Sequence, residues 1–186
     1  MFKLVIDSFL RPRETIQTVL ALGFDQRTLF QAALLISCAY GIAQPVFTSL
    51  SEPGAPRPFL DDPVLVALAQ FVTILLCAGA VSWIGRAFGG TGAFHGSLTI
   101  SVWYTVVGVL PQMALLFLQA MGSQVAMIQV GLFAWLLVIF AIFVQTLHGF
   151  ENLFLTLIGV IGSGILFMAL IFFVFISLGV IRPETL

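Results

Sequence analysis

Residues 63–84 read Pro-Val-Leu-Val-Ala-Leu-Ala-Gln-Phe-Val-Thr-Ile-Leu-Leu-Cys-Ala-Gly-Ala-Val-Ser-Trp-Ile, without a single charge. A hydrocarbon core about 30 Å thick needs about 20 apolar residues of helix, so this stretch is long enough to cross a bilayer. Asp61 and Asp62 stand just before Pro63, a pairing of carboxylates and proline that suits a helix N-terminus. Four further stretches follow the same pattern, at about 29–47, 97–120, 125–147 and 153–181, with Asp25 placed to cap the first. Only Met121-Gly122-Ser123-Gln124 separates the third stretch from the fourth, so those two helices should form an antiparallel hairpin. Composition agrees: 60% of the 186 residues are hydrophobic and 8% charged, where a soluble domain carries about 25% charged residues. The reading is an all-α integral membrane protein. Residues 29–182 form a five-helix transmembrane bundle, and residues 1–28 form a short amphipathic segment on the cytoplasmic side.

The few charges set the orientation. Lys3, Arg11, Arg13 and Arg27 precede the first span and Arg86 lies between the second and third, whereas only Arg57 and Arg182 fall on the other side. The positive-inside rule then puts the N-terminus in the cytoplasm and the C-terminus outside. The loop at 48–62, with Glu52, Pro53, Pro56, Pro58, Asp61 and Asp62, reads as extended and external. Phe2, Val5, Ile6 and Phe9 recur at helical spacing around Lys3, Asp7 and Ser8. A second short helix opens at Pro12, presents Ile16, Val19 and Leu20, and can end at Gly23. These two helices either lie along the cytoplasmic interface or cover the ends of the bundle. No cleavable signal peptide is expected, because Asp7 and Arg11 interrupt the first apolar stretch. The absence of a lysine or arginine run argues against a nucleic-acid partner.

No span centre carries a charge, which argues against ion-coupled transport, since coupling normally needs an ionisable group at membrane depth. The spans do carry amides and hydroxyls: Gln44, Gln70, Gln112, Gln129 and Gln145, with Thr99, Ser101, Tyr104 and Thr105. They either line a polar groove or hydrogen-bond between helices, the latter worth about 0.6–2 kcal/mol each. Pro45 and Pro111 are expected to kink the first and third spans. The stretch from Gly85 to His95 is the densest local signal, with Arg86, Gly89, Gly90, Thr91 and Gly92 in a turn that leads into a helix. Such a turn can hold an anion such as a lipid headgroup or a carboxylate, or it can be a tight connection whose glycines supply unusual backbone angles. It matches neither the dinucleotide fingerprint nor the nucleotide P-loop. His95, His148 and Glu151 gather on the cytoplasmic side without a metal-ligand spacing, so no metal is expected. Cys38 and Cys77 read as small buried groups. With no catalytic set and no cofactor motif, the chain reads as non-enzymatic.

Several of these residues together resemble the Yip1 domain. They are Pro12-Arg13-Glu14-Thr15-Ile16, Trp83 closing the second span, Phe88-Gly89-Gly90-Thr91-Gly92-Ala93-Phe94 in the following turn, and Tyr104 and Pro111 in the third span. The resemblance implies a five-helix bundle with a cytoplasmic N-terminus and an external C-terminus. Eukaryotic members of that family act in vesicle trafficking and associate with Rab-type small GTPases and with one another. They usually carry a longer N-terminal region, so this chain looks like the short bacterial form and the GTPase association is not carried over. Trp103, beside Tyr104, has no family role assigned to it.

The function expected is that of a scaffold or accessory subunit in a bacterial inner membrane, with lipids, other integral membrane proteins or a second copy as partners. Gly85 with Gly89, and Gly159 with Ser163, have the spacing that lets helices approach closely. The last span, with Phe167, Phe172, Phe173 and Phe175, is apolar all round and should face lipid or a partner. The alternative is a small uncoupled facilitator or lipid-moving protein lined by Gln70, Tyr104, Gln112 and Gln129.

Overall fold

A computed structural model describes residues 2–51, 62–121 and 125–177. They form seven helices: α1 (Phe2–Leu10), α2 (Pro12–Ala21), α3 (Gln26–Ser51), α4 (Pro63–Ala87), α5 (Phe94–Ala120), α6 (Ala126–His148) and α7 (Leu153–Ser177). The loop residues from Glu52 to Asp61, the turn at 122–124 and the segment with Arg182 lie outside the described residues.

Local chemistry sets the helix ends. Asp25 Oδ1 accepts from the Thr28 amide at 2.7 Å, capping α3, and Asp62 Oδ1 accepts from Val64 at 2.8 Å and Leu65 at 3.2 Å, capping α4. Asn152 does the same for α7 through Phe154 and Leu155, a cap not anticipated from the sequence. Pro12 stands at the start of α2, and Gly23, with φ +59°, lies just past its end. Helix α5 begins at Phe94, three residues earlier than hydropathy suggested, because Phe94, His95 and Gly96 extend the helix past its apolar part. Pro45 and Pro111 both lie inside continuous helices, α3 and α5.

Four helices are long and apolar enough to cross a membrane, at Gln26–Val46, Pro63–Ala87, Phe94–Gln119 and Ala126–His148. In α7 the apolar stretch Leu153–Leu166 is shorter than these among the described residues.

Helix α5 is the centre of the packing. Residues 97–103 are buried without interruption, which for a helix means covered on every side. One face, with Leu98 and Val102, meets Leu29 and Ala33 of α3 and Ile74 and Ala78 of α4. Another, with Ile100, Trp103 and Val107, joins Leu136, Ile139 and Phe143 of α6 together with Val5 of α1 and Ile16 and Val19 of α2. Gly41 of α3 lets α3 and α4 touch: a methyl group there would run into the Pro63 carbonyl and Ala67. Helix α7 packs mainly on α6. Helices α1 and α2 pack against α5 and α6, with Ser8 and Val5 turned inward.

Candidate functional site

The glycine-rich turn closes on a histidine. The C-terminus of α6 ends in His148, followed by Gly149 at φ +72°, a left-handed conformation that glycine adopts without strain. The imidazole is 3% exposed and lies in a cradle made by Gly85, Gly90 and Gly92. A methyl group on any of the three would overlap the His148 side chain. Phe150 stacks on the ring, with centroids 5.4 Å apart and planes 14° from parallel. The Gly92 amide donates to His148 Nδ1 at 3.2 Å, and the Thr91 amide donates to the His148 carbonyl at 3.4 Å. With Nδ1 accepting, the proton of the neutral ring belongs on Nε2. Nε2 is buried, and the Val81 backbone on α4 is the hydrogen-bonding group nearest to meet it.

The backbone amides of the turn are occupied by the protein itself. Phe88 donates to Ile84, Gly89 to Arg86 and Gly90 to Gly85, and Thr91 and Gly92 donate to His148 as described. An anion beside residues 88–92 would therefore be met by the Arg86 side chain, whereas the first amides of α5 carry no side-chain cap. Arg86 is exposed, with Nη2 donating to Ser82 Oγ at 2.7 Å and Nε to the Ser82 carbonyl at 3.3 Å. Gly85 and Gly89 serve different ends. The first admits the His148 ring, whereas the second turns the chain at φ +83° in open space, where an added methyl group would meet nothing within 4 Å.

The family model of the Yip1 domain matches residues 6–176, nearly the whole chain. The chain belongs to the Yip1 domain family. No curated protein and no solved structure matches it.

In this Yip1 domain the polar residues of the spans are dispersed. Gln145 is buried at the His148 end of α6, where its Nε2 donates to the Glu151 carbonyl at 3.2 Å. Gln129, near the opposite end of the same helix, is about 24 Å away by helical rise. Gln129 and Gln112 are exposed on the outside of the bundle, and Gln70 is half-buried. Tyr104 faces inward against Phe140, with ring centroids 4.7 Å apart. Thr99 and Thr105 return their hydroxyls to carbonyls one turn earlier, while Ser101 Oγ is buried beside the Cys77 thiol of α4. His95 and Glu151 are exposed, whereas His148 is buried in its cradle. Among the described residues no three His, Cys, Asp or Glu side chains gather as a metal site.

Two contacts of the Yip1 domain escaped the sequence reading. One is the His148 cradle. The other ties α1 to the bundle: Trp103 Nε1 donates to Ser8 Oγ at 3.0 Å, and Ser8 Oγ donates to the Leu4 carbonyl at 2.9 Å.

Proposed function

We propose that this Yip1-domain protein is a non-enzymatic scaffold or accessory subunit that associates laterally with other integral membrane proteins or with a second copy. The observation that supports this most is the placement of Gln112 and Gln129. Both side chains are exposed on helices apolar enough to span, and neither has a hydrogen-bond partner among the described residues. Lipid tails offer an amide nothing, so an outward glutamine well inside a span, as Gln112 is, is best satisfied by a neighbouring helix, whereas Gln129, in the first turn of α6, stands nearer the interface. We place α7 as a fifth span, the N-terminus in the cytoplasm and the C-terminus outside, in a bacterial inner membrane. This orientation puts the His148 cradle and Arg86 on the cytoplasmic side, where Arg86 can meet a lipid phosphate or a partner's carboxylate.

The test is crosslinking in native membranes with the wild type and with Gln112→Leu/Gln129→Leu. The double variant should lose captured partner or dimer by about 3- to 30-fold per amide, as expected for an interhelical hydrogen bond of about 0.6–2 kcal/mol. Equal capture by both proteins, or a strictly monomeric wild type with no captured partner, would overturn the proposal.

A further inference from the structure

Four of the chain's fifteen charged residues line one groove between α1 and α2: Lys3, Asp7, Arg11 and Glu14, with Leu4 and Leu10 beside them. The groove is shallow and open to the outside, with about 380 Å³ of space between the side chains, enough to seat a small polar headgroup at the surface. It lies on the side of α1 turned away from the core, since Val5 and Ser8 face inward while Lys3 and Leu10 are exposed. The depth of α1 follows from its tether. Trp103, which holds Ser8, is about 13 Å along α5 from its start, and the indole leans back toward that end. A 27-residue helix is about 40 Å long and overhangs a 30 Å hydrocarbon core by about 5 Å at each end. Helix α1 therefore sits beside the rim of the hydrocarbon, and the charged ends of the groove reach the headgroup layer.

The charge pattern selects among headgroups. Two cations and two carboxylates share the groove, and the one ion pair formed there, Arg11 with Glu14 at 3.6 Å, is about 70% exposed on both sides and weak. A purely anionic headgroup would satisfy Lys3 and Arg11 but face Asp7 and Glu14 unpaired. A zwitterion satisfies both sets. A primary ammonium has three N–H donors for carboxylates, whereas a quaternary one has none and is recognised by aromatic faces. None of the described lining residues is aromatic. We propose that the α1–α2 groove binds the phosphoethanolamine headgroup of a membrane phospholipid. Lys3 and Arg11 hold the phosphate, Asp7 and Glu14 hold the ammonium, and the acyl chains leave over Leu10. The site rests on the bundle crossing a bilayer and is independent of any lateral protein partner.

Native mass spectrometry of the detergent-solubilised full chain tests this with lipids of identical acyl chains. The probes are phosphatidylethanolamine, its N-methyl and N,N-dimethyl forms, phosphatidylcholine and phosphatidylglycerol. Binding should fall at each methylation, by at least tenfold over the series, and phosphatidylglycerol should bind at least tenfold more weakly than phosphatidylethanolamine. In Asp7→Asn/Glu14→Gln the ethanolamine-to-choline ratio should collapse to within about twofold while phosphatidylglycerol binding rises. Equal binding of the ethanolamine and choline lipids by the wild type overturns the proposal, as does a helical double variant that keeps the tenfold preference. If that variant does not fold, the wild-type methylation series decides alone. Loss of partner capture with intact ethanolamine selectivity would sink the scaffold reading and leave this site standing.

Discussion

At the scale of single residues, the turn between α4 and α5 is shaped by a side chain from elsewhere. Gly85, Gly90 and Gly92 are close-packed against His148, so their smallness serves the imidazole, and backbone freedom is a separate need met at Gly89. Gly90→Ala should therefore destabilise the protein by about 1–3 kcal/mol through overpacking. In a His148→Ala background the same change should cost less, with a coupling of about 0.5–3 kcal/mol between the two sites. Thermal unfolding in detergent of the wild type, both single variants and the double variant measures this; additive effects would mean the glycine acts alone. The sequence marks the glycines as a turn that holds an anion or supplies unusual backbone angles, and close approach is read there only for Gly85 with Gly89, of which Gly89 stands in open space. The histidine that packs on the turn was not legible, because it is 56 residues away and a single histidine at a helix end has an ordinary reading as an interfacial polar group. The one available signal was the glycine after it, which ends α6 and fixes where His148 must sit.

At the scale of elements, hydropathy found the helices and capping chemistry found several of their ends, because both are local. Asp25, Asp62 and Gly23 act where their residue types imply. The docking of α1 could not be found this way. Its periodicity marks an amphipathic helix but leaves open whether the apolar side meets lipid or protein. The contact that decides it pairs Ser8 with Trp103. Replacing Ser8 with alanine leaves a buried indole N–H without an acceptor, at a cost of about 1–3 kcal/mol. The expected outcome is faster hydrogen exchange across α1 and α2 with α3–α6 unchanged, since only the docked pair depends on that bond. Unchanged exchange in α1 would show that Val5 packing suffices.

At the scale of the whole molecule, composition settles the environment more firmly than the number of crossings. Four helices meet the requirement for spanning, and the fifth crossing rests on α7 continuing to Ser177. Reporters fused before residue 1 and after residue 186 distinguish the two cases. Opposite sides of the membrane are expected for five spans, and the same side would show four. The polar residues of the spans were visible in the sequence, but their grouping was not, since exposure of Gln112 and Gln129 depends on how helices rotate against neighbours. The tether between Ser8 and Trp103 also orders events during synthesis. Its partners are 95 residues apart, so at about 5–20 residues per second the first two helices leave the ribosome roughly 5–20 seconds before their seat exists. During that interval their apolar faces have only the membrane surface to rest on. The pair α1–α2 therefore waits for α5 before Ser8 can meet Trp103.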